Sequence, residues 1–489
     1  MKKLIFFLFL TTAFSWISSA KQVEENTART VAGNFFASRI GMNQLQALPI
    51  PVLTCTSTDL KTAQDAGSNK AHAFYIFNFT NPEGFVIVAA DDACTPILGY
   101  STEGSFAPED MHPGLSWLLE SYTQQISDAA ARQLKVTPEI EAEWAELLSE
   151  SLALSGSKKG TIVVGPLLTL RWAQSPKYNA LCPKDSTNKL TVTGCVATAM
   201  AMVMKYHNYP VKGIGENTYT TQTLKIECSA NFGNTTYNWN LMPDDLSKIT
   251  NTDSISAVAT LMYHCGVSIK INYGTEETSG QTHANGDPNS YCSENALKKF
   301  FGYNPSLQGV LSNDYSDEEW LAALKKDLDE TLPVIYGGGT GNGASHSYIC
   351  DGYNDENKFH FNWGWGGSAN GWFTLSAIKS NGEKMIKDQD AIFRIRKFPE
   401  GINDPSTSGQ LILYPNPAKD EIFIKDALGV LDIKECVVST PDGRQRLRML
   451  PVKQNETYRI PVSNLTNGLY MITVITGNGP VTSKIMIIK

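Results

Sequence analysis

An almost uninterrupted apolar run, CVATAMAMVM, follows Gly194 and covers residues 195–204. Alanine and methionine favour helices, and Tyr209-Pro210 ends the pattern because proline cannot continue a helix. A helix that is apolar nearly all round belongs in a protein core. Gly194 places Cys195 in the first helical turn, where the positive end of the helix dipole favours a thiolate. A buried structural cysteine is the alternative interpretation.

The pattern before this helix, across residues 21–158, predicts a mixed α/β region. Apolar residues recur at helical spacing over 28–36 and 115–126. Short β-rich runs cover 74–77 and 85–88. The polar stretch 141–157 indicates an exposed connector. Nothing in the pattern of this region indicates catalytic chemistry, and Asp91-Asp92 is read as a solvated turn rather than as a pair of metal ligands.

Residues 159–398 form the next predicted unit. Helical spacing recurs at 258–265 and 320–328, with Asp314 or Ser316 as the cap of the second helix. Strand patterns follow Pro333 and continue through a region rich in glycine and aromatic residues. Helices followed by strands predict an α+β fold with two lobes, and a cleft between the lobes is the expected site. The glycine-rich loop 337–343 is expected to form a mobile edge of this cleft.

The C-terminal part of the chain shows a linker followed by strand patterns without helices. Residues 399–409 have the composition of a linker. Residues 410–489 alternate between short apolar strands and turns, which predicts a small all-β sandwich. This unit contains Cys436 and no histidine, so we expect no chemistry there.

Length, net charge and the N-terminal segment exclude some classes of protein but do not identify a function. A length of 489 residues exceeds what one core supports, so several domains are expected. The net charge of -8, with no basic stripe, argues against a nucleic-acid partner. Lys2-Lys3, an apolar run over 4–14 and the small residues 18–20 predict a cleaved secretory signal over residues 1–20. No later apolar run approaches the length of a membrane span, so we expect a soluble exported protein.

The nine cysteines form neither a disulfide framework nor a metal-binding spacing. A cysteine nucleophile needs a base for its proton, and several of the seven histidines lack a suitable context. His207 lies on the Cys195 helix, roughly 18 Å from the cysteine by helical rise. His264 lies on an amphipathic helix, whereas His283 lies in a polar loop and stays open as a candidate. His72 and His112 fall in the first region, which shows no other site features.

His346 has the most suitable context, because it starts a strand directly after the glycine-rich loop. The turn over 351–357 predicts a hairpin that returns Asn362 or His360 towards it. The alternative is that His346 and Asn362 satisfy one another structurally. Oxyanion donors are also required for acyl transfer, and the Cys195 backbone N–H and the Gln174 side chain are candidates. The pattern alone does not distinguish Gln174 from a solvated loop residue.

Four motifs occur in the order seen in one known family: PLLTLRWAQSPKY (166–178), TGCVATAMA with MKYHNYP (193–210), HSYICDGY (346–353) and FNWGWGG (361–367). Together they resemble the streptopain family of secreted bacterial cysteine peptidases, which have a papain-like fold. The resemblance implies that Cys195 is the nucleophile and His346 the general base and acid. It places Gln174 in the oxyanion hole, and Asn362 with Trp363 around the histidine. The family's usual glycine before this histidine is Ser345 here.

The flanking regions carry resemblances of their own. GFVIVAADD (84–92), ILGYS (97–101) and HPGLSWLL (112–119) resemble the family's propeptide, which implies an inhibitor within residues 21–158 and synthesis as a zymogen. LYPNPAKDEI (413–422) and LYMITV (469–474) resemble the sorting domain of type IX secretion. This second resemblance implies the type IX machinery as a partner, and a protein secreted from, or attached to the surface of, a Gram-negative bacterium.

The expected function is therefore that of a secreted cysteine endopeptidase, acting on protein or peptide substrates without a metal or an organic cofactor. Two other classes remain open. An inactive adhesin or binding protein could retain the same fold, although the intact set of Cys195, His346, Asn362 and Gln174 argues against this. A transglutaminase-like acyltransferase could use the same cysteine and histidine, because the pair alone does not select water over an amine.

Overall fold

A computed structural model describes most of the chain. The described residues are 21–41, 49–60, 71–149, 160–276, 278–339, 345–379, 383–397, 411–426, 433–440, 444–450, 452–454, 457–476 and 479–489. The predicted signal peptide, the predicted linker over 399–409 and the tip of the glycine-rich loop (340–343) lie outside the described residues.

Within the described residues, helices and strands are interspersed up to residue 397, and strands without helices follow. The helices are α1 (Glu25–Arg39), α2 (Pro113–Ala131), α3 (Pro138–Leu148), α4 (Cys195–His207), α5 (Thr252–Ser268), α6 (Ser293–Lys299) and α7 (Asp317–Asp329). The first thirteen strands are β1 (Val52–Thr56), β2 (Phe74–Thr80), β3 (Glu83–Ala89), β4 (Ile97–Ser101), β5 (Ile162–Val164), β6 (Glu216–Thr220), β7 (Glu227–Asn231), β8 (Gln308–Leu311), β9 (Val334–Gly339), β10 (Ser345–Asn354), β11 (Phe359–Asn362), β12 (Gly371–Phe373) and β13 (Gln389–Phe393).

One sheet of eleven strands spans both the N-terminal region and the central unit. Its order is β1-β2-β3-β4-β12-β11-β10-β9-β13-β8, and β5 pairs with β10. The two regions meet where β4 pairs with β12, with Trp372 opposite Tyr100 and Phe373 opposite Gly99. The edge of the central sheet is therefore covered by a strand of the N-terminal region, which satisfies backbone groups that an open edge would expose.

Two hydrophobic cores lie on opposite faces of this sheet. Ile335 and Ile349 point towards α4 and α5, whereas Tyr336 and Tyr348 point to the face covered by α2 and α7. This division follows from the alternation of side chains along a strand. The mixed α/β architecture agrees with the expected fold class.

The predicted α4 helix is confirmed, and it is the most buried helix of the central unit. Residues 196–204 are all buried. Gly194 caps its start with φ 87°, and a Cβ at this position would lie 2.3 Å from Thr278 Oγ1. Only glycine fits both the backbone angle and the space. Asn208 closes the helix in the left-handed conformation, as expected before Tyr209-Pro210.

The prediction of an exposed connector over 141–157 is wrong in its first part. Residues 138–148 form α3, which Thr137 caps with its hydroxyl and Pro138 begins. Ile140 and Trp144 are buried, and Trp144 Nε1 donates to the Cys94 carbonyl at 3.1 Å. Two apolar residues four positions apart are enough to dock a short helix, but among glutamates they are easily overlooked.

The C-terminal unit consists of two four-stranded antiparallel sheets, as the strand pattern predicts. Its strands are β14 (Leu411–Tyr414), β15 (Glu421–Asp426), β16 (Ile433–Ser439), β17 (Gln445–Met449), β18 (Val452–Gln454), β19 (Thr457–Pro461), β20 (Gly468–Thr476) and β21 (Gly479–Ile487). The sheet orders are β14-β15-β19-β18 and β17-β16-β20-β21. Alternate residues such as Ile422, Val438 and Ile472 are fully buried between them. Across the described parts of the whole chain, no helix is long and apolar enough to cross a membrane.

Candidate active site

Cys195 is the first residue of α4 and is only partly buried. The backbone of Ser347, on β10, lies near its sulfur and lowers the pKa of the thiol. Burial raises the pKa of the thiol above its ordinary value, and the N–H groups of Ser347 and Val196 act in the opposite direction. The helix start alone therefore does not ionise this thiol in the full-length chain. The structure nevertheless brings Cys195 next to the strand that carries His346.

Gln174 lies beside the start of α4. Its carbonyl oxygen accepts hydrogen bonds from the Thr193 N–H at 3.3 Å and from the Thr193 hydroxyl at 3.4 Å. The Thr193 hydroxyl also contacts the Thr198 hydroxyl at 2.8 Å, which ties the loop to the helix. The PLLTLRWAQSPKY segment thus reaches the residues that immediately precede Cys195, as an oxyanion donor would require.

His346 lies near the start of β10 and pairs with Gly338 on β9. It shares a face of β10 with Tyr348, which is the face covered by α2. Trp117 of α2 covers Gly338 so closely that a Cβ there would lie 2.2 Å from the indole. The imidazole of His346 therefore lies on the α2 side of the strand, whereas Cys195 and α4 pack on the other side.

Asn362 ends β11 and pairs with Ile349, three residues along β10 from His346. Its side-chain amide donates to the Leu170 carbonyl at 2.7 Å, and its side-chain oxygen accepts from the Gly364 N–H at 3.2 Å. The side chain is almost fully buried. In this structure Asn362 ties the β10–β11 hairpin to the segment that carries Gln174.

Trp363 is buried in an aromatic cluster next to this hairpin. Its ring centroid lies 4.5 Å from that of Tyr348 and 6.0 Å from that of His112. Its indole N–H donates to the Ala369 carbonyl at 2.8 Å. Trp363 therefore forms part of the wall on the α2 side of His346.

His112 was set aside on sequence grounds, yet the structure brings it to this site. Its ring centroid lies 6.4 Å from that of His346, with the two rings nearly perpendicular. His112 caps α2, because its Nδ1 accepts from the Gly114 N–H at 3.0 Å. Its Nε2 is buried and has no hydrogen-bond partner in the described part of the chain. Only the likeness of HPGLSWLL to a propeptide pointed to this residue.

Burial, together with the smaller effect of the neighbouring His346, lowers the pKa of His112 to about 3. An ordinary histidine titrates near pH 6.5. As the pH falls below that value, the unfolded chain binds a proton that the folded chain does not. Above the unfolded-state pKa, His112 therefore causes no loss of unfolding free energy. Below that pKa, the unfolding free energy falls progressively as the pH is lowered.

We expect His112→Asn to reduce the loss of stability in acid. Asparagine keeps an oxygen that can cap α2 but removes the titrating group. Between about pH 7.5 and about pH 5, the wild-type full-length chain should lose ~2 kcal/mol more unfolding free energy than the variant. Urea unfolding at the two pH values measures this difference. His72→Asn is the control, and equal losses in wild type and His112→Asn would contradict the assignment.

The remaining histidines are held by polar partners. The pairs are His72 with Thr58 at 3.0 Å, His207 with Tyr303 at 3.2 Å, His264 with Tyr237 at 2.9 Å, His283 with Asp390 at 3.2 Å and His360 with Asp351 at 2.6 Å. Thus His360, considered above as a partner of His346, is bonded to Asp351. His283 belongs to a loop that contacts the Cys195 side of the sheet.

Comparison with known proteins assigns all three parts of the chain. Residues 172–373 match the Peptidase C10 family. Residues 20–126 match the Spi protease inhibitor family, and residues 412–489 match the secretion system C-terminal sorting domain. The inhibitor match covers α1, most of α2 and the strands that extend the central sheet.

Individual relatives agree with these matches. Streptopain of Streptococcus pyogenes is 33% identical over 329 residues, which cover 64% of this chain and 75% of streptopain. The thiol protease/hemagglutinin PrtT of Porphyromonas gingivalis is 30% identical over 391 residues, which cover 77% of this chain but only 41% of PrtT.

A solved structure supports the fold. A prointerpain A fragment from Prevotella intermedia is 30% identical, covers 68% of this chain and 98% of that fragment, and superposes with a TM-score of 0.54. That fragment is a form of the proenzyme in which one cysteine is replaced by alanine. The chain therefore belongs to the peptidase C10, or streptopain, family of cysteine peptidases, and it carries an inhibitor domain before the peptidase unit and a secretion sorting domain after it.

Proposed function

We propose that this protein is a secreted cysteine endopeptidase made as a zymogen, with Cys195 as nucleophile and His346 as general base and acid. The observation that carries the proposal is the convergence of three sequence motifs at the start of α4. Cys195 lies near the backbone of Ser347, the neighbour of His346. Gln174 is bonded through its carbonyl to Thr193, two residues before the cysteine. Family membership supports the same assignment.

The mechanism begins with transfer of the Cys195 proton to His346. The thiolate then attacks the carbonyl carbon of the scissile peptide bond, and the carbonyl π electrons move to the oxygen. When the tetrahedral intermediate collapses, the C–N bond breaks and His346 protonates the leaving amine. Water, deprotonated by His346, then hydrolyses the thioester and regenerates the thiol.

The oxyanion of the intermediate needs donors that are already in place. We assign this role to the Cys195 backbone N–H and the Gln174 side-chain amide. Gln174 is mostly buried, and its backbone is held by Thr193, so its side chain starts from a fixed position. We assign Asn362 and Trp363 to the orientation of His346, supported by their positions on the adjoining hairpin and aromatic wall.

Residues 21–158 are proposed to act as an intramolecular inhibitor, supported by the position of α2. Trp117 and His112 cover the face of β9 and β10 on which His346 lies, so the imidazole cannot move freely to the thiol. A second contact holds the two regions together. Arg39 of α1 donates to both carboxylate oxygens of Glu356 at 2.8 and 2.9 Å, and its guanidinium occupies the space beside Gly160.

Activation then requires a cut between the inhibitor and the peptidase unit, which we place at 141–165, with Lys158-Lys159 as the preferred position. The C-terminal unit is proposed to direct export through type IX secretion, which leaves the enzyme secreted or on the bacterial surface. The sorting-domain match over 412–489 supports this assignment.

Casein hydrolysis before and after cleavage tests the proposal. We expect the full-length chain to be inactive and the chain cleaved near Lys158-Lys159 to be active. An epoxide inhibitor added to the cleaved chain should abolish this activity and become attached to Cys195. Equal activity in both forms would refute inhibition by residues 21–158. Epoxide labelling of Cys195 without casein cleavage would refute the peptidase and favour an acyltransferase, whereas absence of both would favour a binding protein.

A further inference from the structure

A segment of the inhibitor region, residues 102–112, carries an excess of negative charge to the border with the peptidase unit. It contains three carboxylates and neither lysine nor arginine. Phe106 anchors the segment to the inhibitor, because its ring is buried and its backbone N–H and carbonyl both bond to the Asn78 side chain at 2.9 Å. This anchor fixes the backbone that carries Glu103 on one side and Asp110 on the other.

Both of these carboxylates contact hydrogen-bond donors of the peptidase unit. Arg171 Nη2 donates to Glu103 Oε2 at 3.1 Å, and Trp365 Nε1 donates to Asp110 Oδ1 at 2.8 Å. The contacts lie at the surface, where the Arg171 side chain is 58% exposed. The two donors belong to the peptidase unit and the two acceptors to the inhibitor. Release of the inhibitor would therefore leave both donors without these carboxylates.

Arg171 and Trp365 lie on two chain segments that touch each other. The backbone N–H of Gly366 donates to the Trp172 carbonyl at 3.0 Å. A Cβ at Gly367 would lie 3.1 Å from Arg171 Cγ, and the φ of this glycine is 86°. Glycine therefore suits both the backbone angle and the close approach of the arginine side chain. The guanidinium and the indole N–H form one region of the surface, the Arg171–Trp365 patch.

This patch adjoins the residues that we assign to catalysis. Arg171 precedes Gln174 by three residues. The ring centroid of His112 lies 5.4 Å from that of Trp365 and 6.4 Å from that of His346. One inhibitor side chain thus lies against both the patch and the histidine. Departure of the inhibitor would open the surface that leads from the patch to the imidazole.

We propose that Arg171 and Trp365 determine specificity by receiving a carboxylate of the substrate, in the place that Glu103 and Asp110 occupy in the full-length chain. The preferred substrate is then a peptide with a glutamate or an aspartate near the scissile bond. A guanidinium pairs with a carboxylate through charge and hydrogen bonds, and an indole N–H is a donor only. This inference rests on the proposed function, since it takes the surface beside His346 as the substrate site.

The effect of this patch on specificity should be modest. An exposed ion pair stabilises a complex only slightly. Asp244 lies beside the same segment, because its carbonyl accepts from the Arg171 backbone N–H at 2.7 Å and its carboxylate accepts from the Thr169 hydroxyl at 2.6 Å. A substrate carboxylate therefore adds to a surface that already holds one acidic residue. We expect a preference of a few-fold rather than an absolute requirement.

The test is hydrolysis of a set of peptides in which one glutamate is moved through the positions on both sides of the scissile bond. Each peptide is compared with its glutamine counterpart, and mass spectrometry verifies that both are cut at the same bond. The enzyme is the chain cleaved near Lys158-Lys159 and separated from its inhibitor. At one position or more, kcat/KM should be about 3- to 5-fold higher for glutamate. Salt at about 1 M should remove this preference, because it screens exposed charges.

Variants of the patch identify the groups responsible. Arg171→Gln should abolish the preference for glutamate, and Arg171→Glu should transfer it to the matching lysine peptide. Trp365→Phe keeps an aromatic ring but removes the N–H, so it should reduce the preference. Arg396→Gln is the matched control and should retain it, because Arg396 is also a surface arginine paired with a carboxylate, that of Glu330. A preference that is absent from the wild type, or unchanged in Arg171→Gln, would overturn the inference.

Binding of the same peptides separates this inference from the proposed function. Fluorescence anisotropy of labelled peptides on the cleaved Cys195→Ala chain measures affinity without cleavage. Tighter binding of a glutamate peptide that is lost in Arg171→Gln, with no hydrolysis of any peptide by the cleaved wild type, would support the patch and refute the peptidase. Hydrolysis without a preference for glutamate at any position would refute the role of the patch and leave the peptidase standing.

Discussion

Cleaved protein carrying Cys195→Ala should hydrolyse casein at least ~10⁴-fold more slowly than the cleaved wild type. The substitution removes the atom that forms the thioester, and no other group at the start of α4 can replace it. Alanine favours the helix, so α4 and its packing should be retained. Circular dichroism and the thermal midpoint would verify that the variant is folded.

Cys182→Ala is the matched control for this variant. Cys182 is a free thiol in the same core as α4, but burial raises its pKa to about 12, so it is not expected to react. Its replacement should leave casein hydrolysis within a few-fold of wild type. Substantial hydrolysis by Cys195→Ala, or its loss in Cys182→Ala, would contradict the assignment of the nucleophile.

The same variant reports on maturation. If the enzyme cleaves its own precursor, purified full-length Cys195→Ala should remain intact under conditions in which the wild type is processed. Addition of a trace of active wild-type enzyme should then convert it. If the purified variant matured without added enzyme, the cut would have to come from another protease.

Replacing Gln174 with alanine should lower kcat by roughly 10²–10³, equivalent to ~3–4 kcal/mol of transition-state stabilisation. KM should change little, because the side chain donates to the oxyanion rather than to the ground-state substrate. The structural contact of Gln174 with Thr193 is made by its backbone carbonyl, and alanine keeps that group. The loss therefore reports on the side-chain amide alone.

Gln308→Ala is a suitable control, because Gln308 is an exposed residue on β8. Steady-state kinetics on a peptide substrate would separate kcat from KM for both variants. A kcat for Gln174→Ala within a few-fold of wild type would remove Gln174 from the oxyanion hole. In that case the donors would be backbone N–H groups, beginning with that of Cys195.

Local patterns predicted the individual elements well. The helix that begins at Cys195, the strands around His346 and the C-terminal sandwich all follow from periodicity and turn residues. These elements are determined by short-range physics: the period of apolar residues, a glycine with positive φ at residue 194, and a proline after the helix. The sequence pattern did not predict α3, because two buried residues among glutamates make a weak periodic signal.

Contacts between distant segments were decided by tertiary structure. No pattern places His112 beside His346, and 234 positions along the chain separate them. Their proximity arises because β4 pairs with β12 and carries α2 over the face of β9 and β10. The pairing of His283 with Asp390 likewise depends on the register of β13 against β9.

The sequence by itself therefore determined the candidate chemistry: a cysteine at a helix start, a histidine on a strand, and a family to which four ordered motifs belong. Only the tertiary structure decided where the His346 imidazole lies and how the surroundings of Cys195 affect its thiol in the full-length chain. The imidazole of His346 lies on the face covered by α2, and burial keeps the proton on Cys195. The physical reason is that protonation and access depend on neighbours brought together by sheet pairing, which local sequence does not encode.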